Sequence, residues 1–215
     1  KYGVLPLDDR TSERIEPSMA GRPTLIRGRS QLFFPGMGRL SENSVLSIKN
    51  RSCAVTGEVE VPAGTTRGVV IAQGGRFGGW AVYVQDGLLT FCYNVLGIRH
   101  FRTVAEVPIP TGTHQVRVEF AYDGGGLGKG GDVRLYHDGA PVGSGRVELT
   151  QPAVFSADET TDIGYESGTP VSPDYTVASS RFTGRIHWVQ LELGDDDHDH
   201  HLDPDEVLRI AIARQ

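Results

Sequence analysis

Several loop residues of this chain have the chemistry to hold a ligand. Arg76 and Phe77 stand between glycine pairs in QGGRFGGW (73–80), and Trp80 opens the apolar run that follows. Lys129 lies in a second glycine-rich stretch, DGGGLGKGGDV (123–133). Glycines beside a cation suggest a phosphate cradle, but that cradle needs G-x-x-x-x-G-K-[ST] with a helix starting at its end. QGGRFGGW has no lysine, Gly130 follows Lys129 where Ser or Thr belongs, and strand-like sequence follows both. Without a helix N-terminus there is no dipole to hold the anion. The glycines read instead as tight connections where another backbone or a ligand approaches. Arg76 could grip a carboxylate, sulfate or phosphate with two parallel hydrogen bonds. It could equally be solvated or pair with an acid of the same domain.

The acidic stretches are treated the same way. SADETTDIG (156–164) brings Asp158, Glu159 and Asp162 together. Carboxylates on a loop suit calcium, which takes six to eight oxygens, but the D-x-D-x-D-G spacing is absent. A solvated acidic loop or cap is the alternative. GDDDHDHHLDPDE (194–206) holds three histidines and seven acids. Both side-chain types ligate transition metals, yet consecutive residues rarely converge on one site, so it reads as a solvated linker. Cys53 and Cys92 sit in apolar, strand-like contexts and read as buried thiols; a disulfide between them stays open. Neither is in a C-x-x-C pair, so a cysteine zinc site is not supported. There is no G-x-S-x-G nucleophile motif. Glu58 and Glu60 have the alternate spacing of sandwich-fold glycosidases, but the further acid and flanking aromatics of such a site are missing.

The elements that must position these residues are strands. Twenty-eight of the 215 residues are glycine, which favours turns over helices. From about residue 31 the pattern has period two. SCAVTGEVEVP places Ala54, Thr56, Glu58 and Glu60 on one face and Cys53, Val55, Gly57, Val59 and Val61 on the other. Further runs rich in Val, Tyr, Phe, Ile and Thr follow, with Asp86-Gly87 and Asp138-Gly139 as two-residue hairpin turns. About ten short strands without a long helical pattern indicate an antiparallel sandwich or barrel. Residues 150–180 break the rhythm and read as a long loop.

Residues 1–30 alternate charge, proline and glycine, and lack the apolar residues for a core. They read as an arm that needs another surface. DPDEVLRIAIARQ (203–215) reads as a helix with Asp203 as N-cap and Pro204 at its first position. The expected organisation is an arm over 1–30, a β-sandwich over 31–194, and an acidic, histidine-rich linker with a short helix over 195–215. The formal net charge of −6 argues against a general affinity for nucleic acid. No apolar run is long enough to span a membrane as a helix. No charged-then-apolar leader follows Lys1, so the chain is expected to be processed or a fragment.

Taken in order, YGVLPLDDR, LFFPGMGRL, VIAQGGRFGGWAVYVQDG, FCYNVLG, EFAYDGGGLGKGGDVRLY, QPAVFSADETTDIGYESGTPVS and FTGRIHWVQLELG resemble the C-terminal region of a bacterial arylsulfatase subfamily. These stretches run over essentially the whole chain. The resemblance implies a concanavalin A/laminin G-like jelly roll, non-catalytic, following a sulfatase domain. That domain would carry calcium and a formylglycine made from the Cys or Ser of a C/S-x-P-x-R signature. Cys53 is followed by AVTG and Cys92 by YNVL, so neither matches, and no catalytic residue carries over. The catalytic domain of the same polypeptide is then the expected partner, with residues 1–30 as the link. The glycine loops and SADETTD are expected at the rim facing it, where Arg76 and Lys129 would favour anionic sulfate esters. The alternative is a sugar-binding laminin G-like module, with Trp80, Tyr83 and Tyr93 as candidate aromatics for a glycan.

Overall fold

The computed structural model describes residues 26, 28–152, 155 and 159–194. Asp158, nearly all of the proposed 1–30 arm, the acidic linker and the expected C-terminal helix lie outside the described residues. The described strands are β1 (Ser30–Phe33), β2 (Cys53–Val61), β3 (Gly68–Gly75), β4 (Gly78–Gln85), β5 (Leu88–Val95), β6 (Arg99–Val104), β7 (Gly112–Tyr122), β8 (Lys129–His137), β9 (Ala140–Leu149), β10 (Thr161–Ile163) and β11 (Arg185–Leu193). The only helical elements among the described residues are two 3-10 turns, Glu42–Ser44 and Val177–Ser179.

All strand pairs are antiparallel and form two sheets. One runs β1-β11-β2-β7-β8-β9, the other β10-β3-β4-β5-β6. Alternation along β2 decides which face meets the core. Cys53, Val55, Val59 and Val61 point between the sheets, as their spacing requires. Thr56 on the opposite face stands in a cross-strand row with Gln190, Arg117 and Tyr136. Arg117 donates there to Thr56 Oγ1 (2.6 Å) and Glu119 Oε1 (2.9 Å), and Tyr136 donates to Glu119 Oε2 (3.0 Å).

The tight turns follow local chemistry. Asp86-Gly87 and Asp138-Gly139 have φ of 52° and 82°, and 47° and 80°, as a type I′ hairpin demands. Leu96-Gly97 has the same shape, with φ of 54° and 69°, although Leu has no side-chain oxygen to ease the left-handed region.

Residues 150–180 are more than a loop. They contribute β10 to the edge of the five-stranded sheet, and residues 164–180 then cross its outer face. Val171 and Tyr175 pack there on Val69, Ala72, Ala81, Tyr83 and Cys92, making a second apolar layer. Each large side chain buried this way contributes about 1.5–3 kcal/mol. The two thiols lie in different layers, Cys53 in the core between the sheets and Cys92 under this segment. Both are free, and burial pushes both up to about 12.

Candidate functional site

The loops singled out by sequence meet at one end of the sandwich. Arg76 and Phe77 form the tip between β3 and β4, both exposed, with the guanidinium 6.0 Å from the Phe77 ring centre. The Arg76 amide donates to Thr169 Oγ1 (2.8 Å), and the Thr169 hydroxyl donates to Glu159 Oε1 (2.7 Å). Asn94 Nδ2 donates to the carbonyls of Gly75 (2.8 Å) and Arg76 (3.1 Å), while its Oδ1 accepts from Gly97 N–H (2.9 Å). Gly78 has a φ of 149°, which favours glycine, and a Cβ there would also meet the Gln151 side chain. Thr150, the residue before Gln151, donates from its amide to Gly128 O (3.3 Å) and from its hydroxyl to Lys129 O (2.7 Å). The stretches 73–80 and 123–133, together with Glu159, therefore border one rim. Phe77, Leu96, Ile98 and Leu127 stand out from it, 64%, 56%, 79% and 73% exposed.

The described acids of SADETTDIG hold the chain around them, Glu159 at the rim and Asp162 beside Gly38 and Tyr165. Asp162 is 1% exposed and accepts from Arg39 N–H (2.6 Å), Ser167 N–H (2.7 Å) and Ser167 Oγ–H (2.7 Å). Glu159 holds Thr169 through its amide and hydroxyl. No group of three His, Cys, Asp or Glu side chains placed to hold a metal occurs among the described residues.

Trp80 is not on the rim. It is fully buried between the sheets, and its Nε1–H donates to Gln73 Oε1 (2.9 Å). Tyr83 and Tyr93, the other aromatics expected to face a glycan, are 0% and 3% exposed. Tyr83 lies under the 164–180 segment, where its hydroxyl donates to Asp174 Oδ2 (2.6 Å); Tyr93 lies between the sheets, and its hydroxyl accepts from Gln151 N–H (3.1 Å). None of the three offers a free ring face.

A cleft lies elsewhere among the described residues, along the edge where β1, β10 and β11 approach. It encloses about 540 Å³ and is lined in part by Tyr165, Arg181, Arg185 and His187. Its floor is the edge of the core: Ile163, Phe182 and Ile186 are 1%, 7% and 4% exposed. Gly164, with φ of 81°, turns the chain after β10, and Tyr165 follows it. A Cβ on Gly38 would collide with the Tyr165 hydroxyl, so a glycine there leaves room for the ring. Arg181 sits over that ring, 5.6 Å from its centre. In β11 a register shift between Ile186 and Trp188 interrupts the pairing at His187, the kind of bulge that re-aims a side chain. Arg185 Nε and His187 Nε2 lie 3.9 and 3.8 Å from Glu60 Oε2, too far for hydrogen bonds.

A smaller cleft of about 290 Å³ lies beside Arg102 and Asp174. Its cation is already engaged, because Arg102 pairs with Asp174, which also accepts from Tyr83. Behind it the segment closes on Glu166, 2% exposed, whose Oε1 accepts from Val171 N–H (2.9 Å). Burial pushes the Glu166 carboxyl up to about 8, against the lowering effect of the Tyr175 hydroxyl and the Val171 amide. No local pattern in the sequence marked the larger cleft, whose residues come from distant segments.

No protein-family model and no curated protein matches the chain. Solved structures do match its fold. The CBM40 module of the Ruminococcus gnavus IT-sialidase, solved with α2,3-sialyllactose bound, is 11% identical over 87% of this chain and 99% of that one, with a TM-score of 0.50. Domains LG4–5 of the mouse laminin α1 chain are 12% identical over 84% of this chain and 44% of that one, with a TM-score of 0.46. The LG1–3 region of the laminin α2 chain is 13% identical over 79% and 32%, with a TM-score of 0.48. The two sheets and their order make this chain an antiparallel jelly-roll sandwich of the laminin G/CBM40-like kind. Identity this low speaks for the fold alone.

Proposed function

We propose that the chain is a carbohydrate-binding β-sandwich module whose ligand lies in the cleft between β1, β10 and β11. The observation that carries this reading is the cleft's composition: an aromatic ring, apolar side chains and the donors of two arginines and a histidine line about 540 Å³. Sugars present C–H faces to aromatic rings and hydroxyls to polar groups, and a cleft of a few hundred Å³ suits a short oligosaccharide. The CBM40 module that shares the fold was solved with a sialyl oligosaccharide bound. The test is a glycan array probed with the full chain, followed by titration of the best ligand. Tyr165→Ala is expected to weaken binding about tenfold, the loss of roughly 1.4 kcal/mol. An array with no bound glycan would sink the reading.

A second reading is favoured by the rim. Four exposed apolar side chains and the loops of Arg76 and Lys129 share one end of the sandwich. This end would pack on the catalytic domain of an arylsulfatase, as the quoted stretches imply, with calcium and formylglycine held in that domain. Arg76→Ala and Lys129→Ala in a polypeptide joining the two domains are then expected to raise KM for an aryl sulfate about two- to five-fold, the range of exposed charge contacts. Unchanged kinetics for both variants would count against it.

A further inference from the structure

We infer that the cleft selects an acidic sugar, and that Arg181 and Arg185 anchor its carboxylate or sulfate group. This inference rests on the carbohydrate-binding reading and names the class of ligand. The lining has two arginines and one histidine and no carboxylate, in a chain whose formal net charge is −6. The cationic lining is a local feature of the cleft.

Both arginines line the cleft. Arg181 is exposed and lies over the Tyr165 ring. Stacking on an aromatic restrains the planar fork without occupying its N–H donors, which then meet a carboxylate or sulfate in parallel pairs. No ion pair joins Arg181 to an acid among the described residues. Arg185 has one acidic neighbour, Glu60, whose side chain is 50% exposed and 3.9 Å away. That loose contact gives way readily to a hydrogen-bonded anion. The arginines of β6 differ on this point. Arg102 is paired with Asp174, and Arg99 donates to Glu148 Oε2 (2.9 Å).

The floor completes the match. Ile163, Phe182 and Ile186 line the same cleft and supply its apolar part. A ligand with one anionic group and one apolar ring face fits such a surface, and a free inorganic anion uses only half of it. Tyr165 serves both halves, restraining Arg181 and offering its ring to the sugar.

The experiment is calorimetric titration of the full chain with four probes: a glucuronate-containing oligosaccharide, a sulfated galacto-oligosaccharide, a neutral oligosaccharide of equal length, and inorganic sulfate. Each is repeated with Arg181→Gln and Arg185→Gln, whose folding is checked by circular dichroism. At least one acidic oligosaccharide is expected to bind about tenfold or more tightly than the neutral one. Each substitution should reduce acidic-sugar affinity about 10- to 100-fold, and neutral-sugar affinity by a much smaller factor. Affinity should also fall with added salt. Preference for the uronate or for the sulfate ester identifies which anion the arginines read. Equal binding of acidic and neutral sugars, insensitive to both substitutions, overturns the inference and leaves the carbohydrate reading intact. Inorganic sulfate binding as tightly as the sulfated sugar also overturns it, since the cleft would then be a plain anion site. No binding of any sugar overturns both.

Discussion

Replacing Glu166 by Gln should flatten a stability profile that otherwise falls steeply between about pH 5 and 8. The carboxyl is buried under the 164–180 segment and holds its proton up to about 8 in the folded chain, against an ordinary value of 4.5. Between those values the folded state keeps a proton that the unfolded state has released. Stability therefore declines as pH rises through this window, and levels off above it. Each unit of difference corresponds to about 1.4 kcal/mol, so the whole decline is on the order of 4–5 kcal/mol. For a domain of this size that is roughly 10 °C or more in melting temperature. Gln keeps the carbonyl that accepts from Val171 N–H and has nothing to ionise. Thermal melts of both proteins from pH 5 to 8.5 decide the matter. Parallel profiles would mean that Glu166 stays open to water and titrates as an ordinary carboxylate.

Trp80→Ala should be the most damaging single truncation, costing about 3–5 kcal/mol in denaturant unfolding. The indole is completely buried between the sheets, and removing it leaves a cavity and strands the Gln73 amide oxygen. Phe77→Ser three residues away, at the exposed tip, should change stability by no more than about 0.5 kcal/mol. The contrast separates a core residue from a rim residue in the same short stretch. A cost below about 1 kcal/mol at Trp80 would mean that the ring is not part of the core, and would return it to the list of ligand contacts.

Much of the architecture is written locally. The period-two run of β2 assigns its inward and outward faces without help, because one face is apolar and the other carries Thr56, Glu58 and Glu60. The Asp-Gly pairs mark hairpins because their backbone shape needs positive φ at two successive positions. The sequence within β4 carries no such marker of its two faces. Its residues from Gly78 to Val84 are all buried, so alternation between polar and apolar residues is lost. Trp80, Val82 and Val84 enter the core between the sheets, whereas Ala81 and Tyr83 turn outward beneath residues 164–180. Which parity faces inward is decided by a segment some 90 residues away, and this is why aromatics that looked suited to a glycan prove to be packing residues.

The same reasoning separates the two candidate sites. Glycine and charge made the rim loops conspicuous in the sequence, since tight turns demand particular residues at adjacent positions. The cleft has no such signature. Gly36, Tyr165, Arg181 and Arg185 come from three stretches of chain, and they meet only because β1 and β10 end up as the edge strands of the two sheets, with β11 beside β1. The sequence by itself determined most of the strands, the Asp-Gly turns and the all-β class, because those depend on neighbours along the chain. The cleft and the orientation of the aromatics were decided by tertiary structure, because they depend on which edges and faces the packed sheets leave uncovered.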